Sequence, residues 1–394
     1  MSYLLKTPVV SPMIAARMLH SNEQCVSGWW MRPAVPVGQL TRGNRMDGRG
    51  MKPSGMTTTE SRFSRQTRFA PFGPEGQSRL GGSTVVIVGC GALGTVQATL
   101  LARAGVGTLR LIDRDYVEES NLQRQVLYTE EDARSGLPKA EAARRHLLEA
   151  NSGVQTEALV SDLNPENADD LLGGADVILD GTDNFETRLL INDYAVREGI
   201  PWIYGAAVGS YGIAMPVLPN DSACFRCLYP EPPAGIQPTC ETAGVLGPVT
   251  SLIGSVQAME AIKILAGRAT SVRRKIFTAD LWNGPLRETT MPARDPDCPA
   301  CGRREFTYLN GRLRAPVSLC GRNAVQIHEL RRPVNLKDLA ERLAGLGSVR
   351  ANEFALRFHD GEHEVTVFAD GRAIVKGTID TGVAKGIYSR YVGN

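Results

Sequence analysis

Apolar and polar positions alternate along residues 84–266 in a pattern that predicts strands separated by helices. Short β-branched or aliphatic runs are typical of buried strands, and apolar positions three or four residues apart are typical of amphipathic helices. Strands that alternate with helices of about ten to fifteen residues form a doubly wound, mainly parallel sheet. The pattern predicts strands at 85–88, 108–113, 154–161, 175–179, 202–205 and 213–217, and helices at 95–104, at 139–150, up to about 197, and at 248–266.

The two ends of the chain differ from this central pattern. Residues 1–59 show neither a helical nor a strand period and are rich in Gly, Pro, Met and Arg, so we expect a disordered leader, with an extension upstream of the true start as the alternative. Residues 306–394 are predicted to form a strand, a helix at 336–343, three strands with a hairpin turn at 370–371, and a final helix at 382–391. A helix-like lead-in at 62–76 precedes the first strand. The sequence therefore predicts a leader, an α/β domain over 60–305 and a small C-terminal α/β domain of unknown role.

Composition and charge exclude several classes of function. The 394-residue chain has 22% charged residues and a formal net charge of +2, which gives no support for nucleic-acid or bulk membrane binding. No run reaches the roughly 18 apolar residues that are needed to span a bilayer. Eight cysteines are too few for a disulfide scaffold, so their spacing indicates metal or redox chemistry in a reducing compartment, the cytoplasm. The acid-poor leader keeps an organelle transit peptide open as an alternative.

A glycine-rich turn joins the first predicted strand to the first helix. Gly89, Gly91 and Gly94 form the pattern GxGxxG, in which the backbone can approach a phosphate and the helix N-terminus stabilises its charge. Asp113 ends the second strand 19 residues after Gly94, where an acid commonly accepts a ribose hydroxyl. This Rossmann-like pattern fits an NAD-dependent dehydrogenase, an ATP-dependent enzyme or a tight structural turn.

The polar residues that follow favour phosphate chemistry. The segment 113–125 supplies Asn121 and Arg124 on the ligand side of the sheet, Lys139 begins the next long helix, and Asp183 follows a strand end. Two cations facing a triphosphate and a carboxylate for Mg²⁺ are the groups that phosphate transfer needs. A hydride-transfer enzyme has no use for this set, so ATP is the favoured nucleotide.

The order of these motifs resembles the HesA/MoeB/ThiF family, which is related to the ubiquitin-activating enzymes. The resemblance covers about residues 62–304. Ala92 is one departure, because the family usually carries a third glycine there, and we expect at most a modest effect on ATP affinity. The matching elements are RxxRQ at 62–66, GCGALG at 89–94, DxDxVxxSNLQRQ at 113–125, GLPKAE at 136–141, DGTDN at 180–184 and a paired CxxC.

The resemblance implies an ATP-dependent adenylyltransferase. In the family reaction, the C-terminal glycine carboxylate of a carrier attacks the α-phosphorus of ATP and gives an acyl-adenylate and pyrophosphate. The implied partner is a ubiquitin-like sulfur-carrier protein with a Gly-Gly tail, the implied pathway is thiamine or molybdopterin biosynthesis, and a homodimer is expected. Catalysis would rest on positioning and electrostatic stabilisation, because the attacking carboxylate is already ionised.

The resemblance also implies roles for individual residues. Asp113 would bind the ribose hydroxyls, Lys139 would stabilise charge at the α-phosphate, and Asp183 would coordinate Mg²⁺. Arg65 matches an arginine that crosses a dimer interface into the partner's site, and a solvated helix arginine is the alternative. Asn121 and Arg124 would bind the phosphates. The implied ATP contacts are Gly89, Gly91, Gly94, Asp113, Ser120, Asn121, Arg124, Lys139, Asp183 and Asn184, and the implied catalytic residues are Arg65, Arg124, Lys139, Asp183 and Cys240.

Two CxxC pairs are separated by 70 residues: Cys224 with Cys227, and Cys298 with Cys301. Four thiolates suit tetrahedral Zn²⁺, and two such pairs are a strong signature even at long separation. The sequence therefore predicts a structural zinc knuckle that tethers the stretch before the long helix to the stretch after it. A redox pair is the alternative.

Cys240 lies in a loop-like stretch, 238–244, away from both CxxC pairs. In the thiamine and molybdopterin branches of the family, a cysteine in this motif can join the carrier as an acyl disulfide or take part in sulfur transfer. The resemblance thus implies a cysteine-desulfurase-type sulfur donor, and a semi-buried thiol that merely packs is the alternative. Cys25 in the leader and Cys90 in the glycine turn are not expected to be nucleophiles, and Cys320 is a weaker competitor of Cys240.

Three rival functions stay open at this point. Within the family, the substrate could be a peptide or a tRNA base, and the CxxC pairs and Cys240 favour the carrier branch instead. An NAD-dependent dehydrogenase is the rival enzyme, and a scaffold that binds a ubiquitin-like partner is the non-catalytic rival. The set of Arg124, Lys139 and Asp183 counts against the dehydrogenase and against the non-catalytic scaffold.

Overall fold

The computed structural model describes residues 62–232, 239–311, 318–319, 324–327, 333–369 and 371–393. The predicted disordered leader at 1–59 lies outside these residues, so it stays a prediction. Within the described residues, no helix combines the length and the apolar character needed to cross a membrane.

The larger sheet contains eight strands among the described residues. They are β1 Thr84–Val88, β2 Thr108–Ile112, β3 Gln155–Leu159, β4 Val177–Asp180, β5 Trp202–Val208, β6 Tyr211–Val217, β7 Lys275–Asp280 and β8 Leu286–Thr290. Their spatial order is β3-β2-β1-β4-β5-β6-β7-β8. The neighbours from β3 to β5 pair in parallel, and those from β5 to β8 pair antiparallel. The predicted doubly wound sheet is confirmed.

Helices cover both faces of this sheet. They are α1 Ser64–Thr67, α2 Gly73–Gly81, α3 Ala92–Ala104, α4 Glu130–Ser135, α5 Lys139–Ala150, α6 Ala168–Leu172, α7 Phe185–Glu198, α8 Phe225–Leu228, α9 Cys240–Ala243 and α10 Gly247–Leu265. Successive strand residues point to opposite faces. Val85 and Ile87 therefore join the core beneath α3, α5 and α10, whereas Val86 and Val88 join the core beneath α6 and α7.

The central helices α3 and α10 brace the end of β4 with buried glutamines. The Gln97 side chain on α3 donates to the Gln257 side chain on α10 at 2.7 Å. Both side chains also donate to the carbonyl of Asp180, at 3.0 and 2.8 Å. A buried polar group is costly unless it is hydrogen-bonded, so these bonds fix the point at which β4 turns into the following loop.

The C-terminal part forms a separate antiparallel sheet of six described strands. They are β9 Ser318–Leu319, β10 Ala324–Ile327, β11 Ser348–Ala351, β12 Ala355–His359, β13 Glu364–Phe368 and β14 Ala373–Lys376, with helices α11 Leu336–Leu343 and α12 Thr381–Tyr391. The strand order is β11-β12-β13-β14-β10-β9. Leu356 and Phe358 face the core that α11 and α12 cover.

Three predictions about secondary structure are wrong. Among the described residues, the C-terminal domain has two strands before α11 and four between α11 and α12, where one and three were predicted. The long helix α10 does not close the α/β domain, because the β7–β8 hairpin follows it and extends the sheet. The lead-in at 62–76 is not one helix either, since α1 ends at Thr67 and α2 begins at Gly73.

Candidate nucleotide site and cysteine cluster

The glycine turn between β1 and α3 packs directly on the end of β4. Gly89 has φ of +90°, and a Cβ there would lie 2.6 Å from the Gly181 carbonyl oxygen. A Cβ at Gly94 would lie only 1.9 Å from the Gly89 carbonyl oxygen, so neither position accepts a side chain. A Cβ at Gly91, by contrast, would have no neighbour closer than 3.9 Å. Gly89 and Gly94 are thus required by packing, and Gly91 leaves room for a ligand.

Asp113 connects this turn to the segment that follows β2. One carboxylate oxygen accepts from the Cys90 amide at 2.6 Å, and the other accepts from the Asp115 amide at 2.7 Å. Burial raises the pKa of Asp113, the Lys139 charge opposes this, and the Asp115 charge adds to it. The acid is therefore fixed in place at the carboxyl ends of β1 and β2, where nucleotides bind in open α/β sheets.

Lys139 meets Asp115 in a buried ion pair. The Lys139 Nζ lies 3.2 Å from an Asp115 carboxylate oxygen, and the Lys139 side chain is only 8% exposed. The Lys139 amide also donates to the Asp115 carbonyl at 2.8 Å. Sequence reasoning gave Asp115 no role, although it is the second acid of the DxD pattern at 113–115, which was the available signal.

Tyr128 is a second residue that sequence reasoning missed. Its hydroxyl donates to the Cys90 carbonyl at 2.7 Å and lies 3.1 Å from the Lys139 carbonyl. The ring is buried, and burial raises the pKa of the phenol. Tyr128 thereby links the glycine turn to the start of α5, but no local sequence pattern marks it.

The phosphate-binding residues predicted from 113–125 lie on a 3₁₀ turn at Glu119–Asn121. The Asn121 side chain is buried and accepts from the Glu118 amide at 3.1 Å, so it also caps this turn. Arg124 is half-buried and donates to the Ser120 carbonyl at 2.8 Å, while Ser120 is exposed. Their contacts with phosphates stay predictions.

The loop after β4 presents Asp183 at the surface. The Asp183 side chain is exposed, and Asn184 accepts from the Thr187 amide as the N-cap of α7. Beneath the loop, Arg188 pairs with the fully buried Asp180 at 3.1 Å and donates to the Thr182 carbonyl at 2.7 Å. Arg188 was not predicted, and it braces the turn that carries Asp183.

Cys240 lies within electrostatic range of the predicted site residues. The thiol is half-buried at the start of α9, with its Sγ 3.5 Å from the Ala207 carbonyl. Burial raises the pKa of Cys240, the charges of Arg124 and Arg188 oppose the rise, and the charge of Asp183 adds to it. The charges of Arg124 and Asp183 therefore act on the Cys240 thiol, and its role as a nucleophile stays a prediction.

Arg65 lies on the short helix α1 with an exposed side chain. Its predicted contact across a dimer interface stays a prediction.

The four cysteines of the two CxxC pairs come together. Their sulfur atoms all lie within 4.8 Å of one another. Three of the separations are 3.9 Å for Cys224–Cys227, 3.6 Å for Cys224–Cys298 and 3.4 Å for Cys227–Cys301. A tetrahedron of sulfurs with metal bonds of about 2.3 Å has edges of about 3.8 Å, so the donor set fits Zn²⁺.

The α/β part of the chain matches a known family. The model of the ThiF family aligns with residues 63–300, which is more than half of the chain. This chain belongs to the ThiF family. The predicted membership in the HesA/MoeB/ThiF group is therefore confirmed.

Named relatives and solved structures agree with the ThiF assignment. The sulfur carrier protein ThiS adenylyltransferase of Bacillus subtilis (strain 168) is 44% identical over 337 residues, covering 84% of this chain and 99% of that protein. A sulfur carrier protein adenylyltransferase of Thermus thermophilus is 41% identical, covering 61% of this chain and 90% of that protein. A crystal structure of E. coli MccB with ATP matches with a TM-score of 0.53 at 25% identity, over 61% of this chain and 74% of that one. The predicted enzyme class, an adenylyltransferase, is confirmed.

Proposed function

We propose that this ThiF-family enzyme uses ATP to adenylylate the C-terminal glycine carboxylate of a ubiquitin-like sulfur-carrier protein. The buried Lys139–Asp115 pair carries the proposal, since it holds a cation beside Asp113 and the glycine turn. The relatives named as sulfur carrier protein adenylyltransferases support the class of substrate. The activity is assigned to the α/β domain over 60–305.

The reaction that this site suits is a displacement at phosphorus. A carboxylate oxygen of the carrier attacks the α-phosphorus of ATP, the bond from that phosphorus to the β-bridging oxygen breaks, and pyrophosphate leaves. Lys139 stabilises the negative charge that develops at the α-phosphate, while Asn121 and Arg124 orient the phosphates. Asp113 binds the ribose. No general base is needed because the attacking carboxylate is ionised at neutral pH.

Asp183 is the residue that would hold Mg²⁺ in this scheme. It is an exposed carboxylate at the carboxyl end of β4, supported from below by Arg188 and flanked by Asn184. Carboxylate oxygens are preferred ligands of Mg²⁺, which would supply charge neutralisation to the triphosphate.

Onward sulfur transfer is the second part of the proposal. A persulfide on Cys240, supplied by a cysteine-desulfurase-type donor, attacks the carbonyl carbon of the acyl-adenylate and releases AMP. The product is an acyl disulfide, from which a reducing thiol frees the carrier thiocarboxylate for thiamine or molybdopterin synthesis. We place the enzyme's action in the reducing cytoplasm, where a reactive Cys240 thiol and a cluster of zinc thiolates both persist. A homodimer, in which Arg65 reaches the partner's site, completes the proposal.

Pyrophosphate exchange tests the adenylation step directly. The purified chain, ATP and labelled pyrophosphate are incubated with a thiamine-type or a molybdopterin-type carrier, each with an intact Gly-Gly tail. We expect exchange with one of them and none with the same carrier lacking its last glycine. Absence of exchange with both carriers, together with tight NAD binding, would contradict the proposal.

Replacing Cys240 by serine is expected to separate the two steps. Adenylation needs nucleotide and the carrier tail, so the C240S variant should keep pyrophosphate exchange. It should fail to form a reducible adduct with the carrier, because a serine hydroxyl can neither carry a persulfide nor form a disulfide. Non-reducing gels of enzyme, carrier, ATP and a persulfide donor measure this, and C90S is a matched control that leaves Cys240 intact. A normal adduct and full thiocarboxylate formation in C240S would show that Cys240 only packs.

A further inference from the structure

The C-terminal sheet packs against the loops that border the nucleotide site. Tyr116 lies in a shared apolar cluster with residues of the C-terminal sheet, and Val160 packs against this cluster. We call this region the interdomain contact. Its C-terminal side includes Ala324, Ala355, Phe368 and Ile374, and it uses the face opposite the one that α11 and α12 cover. The small sheet thus has a partner on each of its two faces.

Tyr116 is the central residue of the interdomain contact. It follows the Asp115 that pairs with Lys139, and its side chain is 6% exposed. Its ring centroid lies 6.1 Å from that of Phe368, and the Arg357 guanidinium lies 4.8 Å from the ring centroid. Tyr116 also forms an isolated β-bridge with Pro138, the residue before Lys139. The C-terminal domain therefore packs on the side chain that follows Asp115, and the backbone of the same residue pairs with the residue before Lys139.

An ion pair reaches from the C-terminal domain to the turn that carries Asn121. Lys376 lies 2.9 Å from Glu118, whose side chain and amide cap this 3₁₀ turn. Burial alone raises the pKa of Glu118, but the hydrogen bond from Lys376 and the charges of Lys376, Arg357 and Lys139 outweigh it, so the net shift is downward. Glu118 is thus ionised, and it lies close enough to Lys139 to feel its charge.

Two hydrogen bonds to backbone carbonyls complete the contact. The Asn352 side chain donates to the Gly136 carbonyl at 2.9 Å, three residues before Lys139. The Arg372 guanidinium donates to the Val160 carbonyl at 3.4 Å, just after β3. The C-terminal domain therefore binds the connection after β2 at two points, Glu118 and Gly136, and the loop after β3 at Val160.

We propose that the C-terminal domain is a positioning element of the nucleotide site, with Tyr116, Glu118 and Lys376 as its positioning residues. It holds the segments 115–121 and 136–139 in place before ATP binds, which lowers the cost of ordering them around the nucleotide. Lys376 also balances the charge of Glu118, which would otherwise repel the triphosphate. The inference rests on the proposed function, because it assigns the phosphates to this site.

The test removes the balancing charge in the full-length chain. In K376M, we expect the dissociation constant and the KM for ATP to rise about three- to tenfold, because the pair is partly exposed and screened. The kcat of carrier-dependent exchange should change by less than about twofold, since Lys376 does not touch the reacting atoms. K376R should behave like the wild type, and K385M removes a lysine from the same domain outside the contact.

A double variant distinguishes charge balance from loss of structure. Adding E118Q to K376M removes the carboxylate at the 3₁₀ turn, while Glu364, the second partner of Lys376 at 3.2 Å, stays in both variants, so ATP affinity should return towards the wild-type value. If the residues had a purely structural role, the double variant would bind ATP more weakly than either single variant. Y116A should weaken ATP binding while Y116F preserves it. Unchanged ATP affinity in both K376M and Y116A would overturn the inference.

Direct ATP binding separates this inference from the proposed function. Binding measured by calorimetry needs no carrier. If ATP affinity responds to K376M as expected but no carrier supports exchange, the proposed substrate is wrong and the positioning role stands. If exchange depends on a carrier but is indifferent to K376M and Y116A, the positioning role is wrong and the substrate stands.

Discussion

Replacing Asp183 by asparagine is expected to lower carrier-dependent pyrophosphate exchange by about a hundredfold or more, the usual size of losing one preorganised electrostatic contact. An amide oxygen is a weaker ligand for Mg²⁺ than a carboxylate, so the triphosphate would lose part of its charge neutralisation. The fold should be unaffected, because the Asp183 side chain is exposed and the loop beneath it is braced by Arg188.

The measurement is exchange at increasing Mg²⁺ concentration, with thermal melting as a check of the fold. Weakened metal binding predicts partial recovery of D183N at high Mg²⁺. The matched control is D170N, which removes the same charge from an exposed position on α6. Near-normal exchange of D183N at ordinary Mg²⁺ would contradict the assignment of Asp183, and an equal loss in D170N would point to a general effect of charge.

The parallel part of the larger sheet could be predicted because helices bury both of its faces. Strands such as β1 and β4 then become continuous apolar runs, which are easy to recognise in a sequence. The β8 strand, Leu286–Thr290, reads Leu-Arg-Glu-Thr-Thr and is mostly exposed. It has no apolar period, and it forms because β7 offers an edge with which it pairs. Sequence reasoning missed it for that reason.

The sequence predicted those residues of the candidate site that follow a strand. Asp113 and Asp183 follow strands, and the carboxyl ends of parallel strands meet at one edge of a sheet. The partner of Lys139 was not predictable, because Asp115 lies 24 positions away along an irregular segment that must fold back on itself. Tyr128 and Arg188 act through backbone carbonyls, and such contacts leave no periodic signal.

The interdomain contact shows a second limit of sequence reasoning. Lys376 and Glu118 are 258 positions apart, and each has an ordinary role within its own element, at a strand end and at a helix cap. Tyr116 likewise reads as one aromatic residue in a polar stretch. Only the relative placement of the two sheets turns these residues into one contact, and no local pattern encodes that placement.

Replacing Cys298 by serine is expected to release bound zinc and to lower the melting temperature strongly. The cluster connects α8, which begins after Cys224, to the segment after β8 that carries Cys298 and Cys301. Asn192 on α7 supports it, since its side chain accepts from the Phe225 amide at 2.9 Å and contacts the Cys224 sulfur at 3.7 Å. Metal binding would thus hold together three elements that are far apart in sequence.

The size of this effect follows from the coupling of metal binding to folding. Structural zinc sites bind with about 10–16 kcal/mol, and a loss of only about 3 kcal/mol lowers the melting temperature of a unit of 150–250 residues by roughly 6–12 °C. Wild-type protein should contain about one zinc per chain after gel filtration, and C240S, the same substitution outside the cluster, should retain it. Fresh wild-type protein without zinc, and with a disulfide among these four cysteines, would contradict the prediction. In that case the close approach of the sulfurs would serve redox chemistry, and melting would respond to reductant rather than to a chelator.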